Sequence, residues 1–337
     1  MTAAGVAPVH AAIVGLGRWG RNLVGAVQAP GTLASGRLRF VRGMVRNPAP
    51  VQEFADQNGF TLTDSFDELL ADPQVQAIVL ATPPGGHVDH IVAAARAGKA
   101  VFCEKPLSLT AAGARRAVAA CAEAGVALGV GQDKRFYPAM QALRRVVASG
   151  RLGTLMHVEG NFSNENSNAT YTAWRSSPTE SPGGSLTATG IHVLDNFVSV
   201  MGAVRSVHAH HHTRQSEPSI QDTSTIFFEF ENGATGVLSS VRPTPLCFRV
   251  QVYGTQGWAL AHGTNDLEVQ LSGQPLERQH FEPVNTLRFE LEAFADAVAG
   301  RAPCLVPPEQ IVMTAGALEA AIRSVDSGGM VELDTLA

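Results

Sequence analysis

The chain has 337 residues, 45% of them apolar and 16% charged, with 33 glycines. At roughly 150 residues per domain this suffices for two domains with sizeable cores and excludes a disordered chain. A balance of 25 basic against 30 acidic residues, with no Lys/Arg run, argues against a nucleic-acid or anionic-membrane surface.

The four cysteines (Cys103, Cys121, Cys247, Cys304) form no CxxC pair, and no apolar run approaches the ~20 residues of a membrane span. The N-terminus lacks the basic start of a signal peptide, so a reduced, cytoplasmic protein is expected.

The first half alternates strand and helix. Residues 9–14 read as an apolar strand, followed by the turn "GLGRWG" and a helix; 37–45 is a second strand. "APVQEFADQNG" is a helix ending at Gly59, and "DSFDELLADP" one with an Asp/Ser start. Strand 75–84, helix "HVDHIVAAARAGK", strand "AVFCE", helix "AAGARRAVAACAEAG" and strand "VALGVG" complete the series. Continuous apolar strands alternating with helices imply a doubly wound parallel sheet, whose ligands bind at the carboxyl ends of its strands. This unit is assigned to residues 1–133.

The remainder, 134–337, reads as an α/β domain with a large, mostly antiparallel sheet, open on one face to a partner subunit. Its strand candidates include "TLMHVEGNFS", "STIFFEFENGATGVLSSV" and "FRVQVYGTQGWALAHG", with Glu231-Asn232-Gly233 as a hairpin turn. Two helices close the chain and are free to pack back on the first domain. His208, His210 and His212 share one face of a strand, with no carboxylate or cysteine beside them in sequence to complete a metal site. They read as a polar strand, and no metal is assigned.

The turn Gly15-Leu16-Gly17-Arg18-Trp19-Gly20 has GxGxxG spacing between a strand and a helix, the context of a dinucleotide fingerprint. Gly15 allows the tight turn, Gly17 the approach of a pyrophosphate, and Gly20 close helix–strand packing. The second strand ends in Arg46 and Asn47, where an acid would bind the ribose hydroxyls. An arginine there suits a 2′-phosphate, so NADP is expected over NAD.

Together, "GLGRWG", "LATPPGGHVDHIVAAARAGKAVFCEKPLS" and "WRSSPTESPGGSLTATGIHVLD" resemble the glucose–fructose oxidoreductase/inositol dehydrogenase/MocA family. The resemblance implies a Rossmann domain followed by an open-sheet domain, NAD(P)-dependent chemistry on a sugar, cyclitol or related polyol, and a homodimer or homotetramer formed through that sheet. It assigns Lys105 to the nicotinamide ribose and the reacting hydroxyl, Glu104 to the cofactor, and a cis bond to Lys105–Pro106. Thr82, Pro83, His87, Trp174 and Arg175 match positions near the dinucleotide. His192 matches the histidine that exchanges a proton with the substrate oxygen.

Hydride leaves a carbinol carbon only as the hydroxyl proton is lost, so a base and a charge-stabilising group must reach that oxygen. His192, near the start of its helix, is expected to stay a neutral base. Arg135, Asn161, Asn164, Tyr171, Arg175, Thr189 and Asp195 are candidate polar groups for substrate, Asp195 being also able to orient His192. One departure stands out: Ala188 occupies the position four before the histidine, where the family often has an aspartate. A non-catalytic, dinucleotide-binding regulator on the same fold is the alternative that this loss favours.

Overall fold

The computed structural model describes residues 7–30, 35–165, 173–214 and 221–336. The chain divides into two compact units: 1–108, 113–133 and 285–311 form one, and 109–112, 134–284 and 312–337 the other.

The first unit is built on six parallel strands: β1 (Val9–Val14), β2 (Leu38–Met44), β3 (Thr61–Thr63), β4 (Ala77–Leu80), β5 (Ala100–Glu104) and β6 (Leu128–Gly131), in the order β3-β2-β1-β4-β5-β6. Every residue of β4 and β5 is buried, which only strands covered on both faces require. The strand expected at 75–84 spans only Ala77–Leu80, and Pro83 and Pro84, with no N–H for a ladder, exclude its last two expected residues.

Helices α1 (Arg18–Gln28), α2 (Gln52–Asn58), α3 (Phe66–Ala71), α4 (His87–Arg96) and α5 (Ala111–Glu123) connect the strands. Ser65 caps α3, accepting the Glu68 N–H at 3.3 Å. Order reverses between β1 and β4, so the carboxyl ends of β1, β2, β4 and β5 surround the crevice where doubly wound sheets bind ligands.

In the second unit nine strands follow the order β14-β13-β12-β11-β7-β10-β9-β8-β15, and every neighbouring pair is antiparallel except β7 with β10. They are β7 (Leu155–Ser163), β8 (Val204–His212), β9 (Thr223–Phe230), β10 (Thr235–Val241), β11 (Cys247–Gly254), β12 (Gly257–His262), β13 (Asp266–Leu271), β14 (Glu277–His280) and β15 (Val331–Glu332). Gly233, in the left-handed region, closes the β9–β10 hairpin.

Helices α6 (Pro138–Ala148) and α7 (Ile191–Met201) pack on one face of this sheet. A methyl group on Gly160 of β7 would lie 2.4 Å from Val193, so the strand is bare where α7 crosses it. On the other face β7 Glu159, β9 Phe227, β10 Val237, β11 Gln251 and β12 Leu260 line up in register, and Phe227 is 47% exposed. Of the two C-terminal helices, α8 (Thr286–Val298) belongs to the first unit, where Phe294 meets Phe102 of β5 edge-on. From Val312 onward, α9 (Pro308–Ser327) belongs to the second.

Candidate functional site

The three glycines after β1 divide their work in a way the geometry makes explicit. Gly15 adopts φ +92°, and a Cβ there would lie 2.8 Å from the Ala81 carbonyl oxygen. On Gly20 a Cβ would sit 2.0 Å from the Gly15 oxygen, so the first turn of α1 rests directly on the loop. Gly17, at the N-cap of α1, has ordinary extended backbone, and a Cβ there meets nothing within 4 Å. The protein itself demands glycine at the first and third positions; the open space at the second faces outward at a helix N-terminus with no acidic residue in its first turn. That cradle fits a pyrophosphate.

Arg18 and Arg21 are both exposed, and Arg21 donates from Nε to the Leu16 carbonyl at 3.1 Å with its guanidinium 5.5 Å from the Phe54 ring. Beyond β2, Arg46 and Asn47 are exposed, and no carboxylate stands in that stretch. After β4, Thr82 Oγ1 is buried without a hydrogen-bond partner, and Pro83 is exposed. His87, expected along the dinucleotide, is only 1% exposed, and both ring nitrogens face backbone carbonyls: Nε2 that of Thr82 at 2.9 Å, Nδ1 that of Pro106 at 3.0 Å.

At the end of β5 the greasy strand delivers Glu104 and Lys105, and the Lys105–Pro106 peptide is cis. Glu104 is 6% exposed and lies across β6 against its register partner Gly131, whose Cβ would stand 2.7 Å from Oε1. Its Oε2 accepts the Lys105 N–H at 3.3 Å, while Oε1 is buried with no hydrogen-bond partner. Burial pushes the carboxyl from its ordinary 4.5 to about 7; the Trp19 indole and Lys105 oppose the rise, and Asp133 adds to it. The indole N–H is near enough to favour the anion yet forms no hydrogen bond of good geometry.

The second unit holds His192, 5% exposed, its ring 5.9 Å from that of Phe162. A π-helical turn, Leu186–Gly190, runs directly into α7. His192 therefore lies more than a turn inside a continuous helical segment, and the helix-start argument for its neutrality does not apply. Ala188 falls within the π turn, so the four-residue spacing that would align it with His192 is broken there.

Several expected substrate contacts are otherwise engaged. Arg135 and Asp195, each 1% exposed, form a bidentate pair: Nε to Oδ2 at 2.5 Å and Nη2 to Oδ1 at 2.8 Å. Asp195 thus serves Arg135 instead of orienting His192. Thr189 donates to the Ser185 carbonyl at 3.0 Å and meets Ser240 Oγ at 2.8 Å. Asn161 donates to Ser239 Oγ at 2.8 Å, on the opposite face of β7 from Phe162 and hence from His192. Asn164 follows β7 with its N–H donated to the Val241 carbonyl, and the Arg175 guanidinium lies 4.8 Å from the Trp174 ring. Tyr171 lies outside the described residues.

Two features were not singled out from sequence. Gly131 makes room for the Glu104 carboxylate, and pairing "VALGVG" in register with "AVFCE" would have exposed it. Lys134 lies 4.9 Å from the Tyr137 ring and 5.6 Å from that of Phe162, the ring that also packs on His192. Only tertiary folding brings those together. Among the described residues, no group of three or more His, Cys, Asp or Glu side chains is arranged to hold a metal ion, and no helix is long and apolar enough to cross a membrane.

Two family models match: the oxidoreductase family NAD-binding Rossmann fold over residues 9–132, and the GFO/IDH/MocA C-terminal domain over 140–260. The chain is similar to trans-1,2-dihydrobenzene-1,2-diol dehydrogenase of Sus scrofa, 30% identical over 248 residues that cover 72% of this chain and 73% of that protein. It is 29% identical to D-xylose 1-dehydrogenase (NADP(+)) 2 of Haloferax volcanii, over 86% of this chain and 90% of that one. Among solved structures it resembles GenD2 from gentamicin A biosynthesis in complex with NAD, with 27% identity, a TM-score of 0.84, and coverage of 98% and 97%.

Proposed function

Because the chain belongs to the glucose–fructose oxidoreductase/inositol dehydrogenase/MocA family of oxidoreductases, we propose that it interconverts a secondary alcohol of a sugar, cyclitol or related polyol with the corresponding carbonyl. The observation that carries the reading is the glycine turn, closed by the protein at Gly15 and Gly20 and open at Gly17 above the N-terminus of α1. The turn holds the pyrophosphate of NAD(P), and Thr82, Pro83, Glu104, Trp174 and Arg175 line the rest of the cofactor. The bound nicotinamide supplies the hydride acceptor or donor.

Lys105 stabilises negative charge on the substrate oxygen, and His192 exchanges the proton with it. Support for Lys105 is its delivery at the carboxyl edge of a parallel sheet, beside a carboxyl that burial pushes up to about 7. Relatives named for a diol and for D-xylose support the substrate class. Exposed Arg46, with no acid beside it, supports NADP over NAD through a charge-assisted contact to the 2′-phosphate. The uncovered face of the nine-stranded sheet is where a second copy docks, making a dimer or tetramer. All four cysteines are free, in keeping with a reducing cytoplasm.

Purified protein is to be assayed for nicotinamide reduction with NADP⁺ and NAD⁺ against pentoses, hexoses, inositols and vicinal diols. Lys105→Ala is expected to lower turnover by about two to four orders of magnitude, with dinucleotide binding still measurable by fluorescence. Wild-type turnover in that variant defeats the assignment. Dinucleotide binding with no turnover on any alcohol points to the regulator instead.

A further inference from the structure

The loops after β4 and β5 carry Thr82 and Lys105, and nothing in the strand ladder holds one against the other. The last β4–β5 pair is Leu80 with Cys103. Beyond it Pro83, Pro84 and Pro106 have no N–H to extend the pairing. The group that spans the gap is the imidazole at the first position of α4. His87 reaches back five residues to the Thr82 carbonyl and forward nineteen to the Pro106 carbonyl, and its ring is enclosed.

Carbonyl oxygens only accept. Each contact is a hydrogen bond when the facing nitrogen carries a proton, so the neutral ring ties one loop and the doubly protonated ring ties both. A side chain without donors would leave the part-buried Thr82 carbonyl and the buried Pro106 carbonyl without this ring as a donor.

We propose that His87 is a positioning residue, whose ring pins the Thr82–Pro83 loop to the Lys105–Pro106 turn and so sets where Lys105 presents its ammonium. It acts through the backbone of both loops and not by touching dinucleotide or substrate. The inference rests on Lys105 acting at the reacting hydroxyl.

His87→Phe keeps a ring and removes both nitrogens, and with them every donor. It is expected to lower kcat about tenfold or more, with the KM for dinucleotide changed less than about threefold. His87→Asn, which restores a donor, recovers part of the loss. Wild-type kcat in His87→Phe overturns the inference, and so does a rise in dinucleotide KM alone, which would make the ring a binding group.

Should the variants not fold, the wild-type protein decides. A ring N–H of His87 protected from solvent exchange in NMR spectra supports the brace, and one exchanging as fast as that of exposed His262 refutes it. Lys105→Ala separates the two layers. Full turnover in Lys105→Ala removes the functional reading and this inference with it. An inactive Lys105→Ala beside a fully active His87→Phe removes only the inference.

Discussion

Both units bury charge, and they handle it in opposite ways. In the second, Arg135 and Asp195, each 1% exposed, are sealed together in a two-pronged pair that occupies both carboxylate oxygens. In the first, Glu104 is also buried, at 6% exposure, but one of its oxygens has no hydrogen-bond partner, and the buried Thr82 hydroxyl has none either. A saturated pair fixes a fold. Unsaturated polar atoms at the carboxyl edge of a parallel sheet cost stability and are kept where something else completes them.

The sharpest test is at the sealed pair. Asp195→Ala or Arg135→Ala strands a buried charge and is expected to destabilise by about 3–5 kcal/mol in urea unfolding, whereas joint replacement by apolar residues of similar volume recovers most of the loss. If the single variants unfold like wild type, the pair is not structural and the contrast collapses.

Glu104 comes next. Its folded-state value lies above the unfolded one, so the native chain holds more protons between about 4.5 and 7, and stability falls as pH rises through that window. Glu104→Gln removes the charge. At about pH 8 the dinucleotide-free variant is expected to be more stable than wild type by about 3 kcal/mol, and at about pH 4 the two should converge. Parallel pH profiles of the two proteins would refute this.

The glycine turn sharpens the same contrast within one loop. Gly20→Ala forces a methyl group into the Gly15 carbonyl and should cost about 1–3 kcal/mol of stability. Gly17→Ala should stay within about 1 kcal/mol of wild type in stability yet weaken dinucleotide binding clearly in titration. Equal stability losses at both positions would mean that the space at Gly17 is not kept for a ligand.

The smallest effect is at the surface. Arg46→Ala is expected to lower the NADP-to-NAD ratio of kcat/KM by about three- to tenfold. An unchanged ratio moves the cofactor preference elsewhere.

What was legible from sequence was what is local. The strand–turn–helix around GLGRWG, the Ser65 cap, the Glu231-Asn232-Gly233 hairpin and the emergence of Glu104 and Lys105 from an apolar strand all follow from neighbours within a few residues. Alternation along β7 even carried a warning about Asn161, since Phe162 next to it is the residue buried against His192. The π turn was not legible, because nothing in "SLTATG" marks an extra residue in a helical turn, and it undid both the helix-start and the four-residue-spacing arguments about His192.

The sequence by itself determined which stretches become strands, tight turns and helices, for these depend on short-range sterics and on the period of apolar residues. Tertiary structure alone decided which polar groups are already spoken for. Arg135 finds Asp195 across 60 positions, and His87 finds Pro106 across 19. Hydrogen bonds and charge pairing act over a few ångströms of space, and distance along the chain carries little information about them.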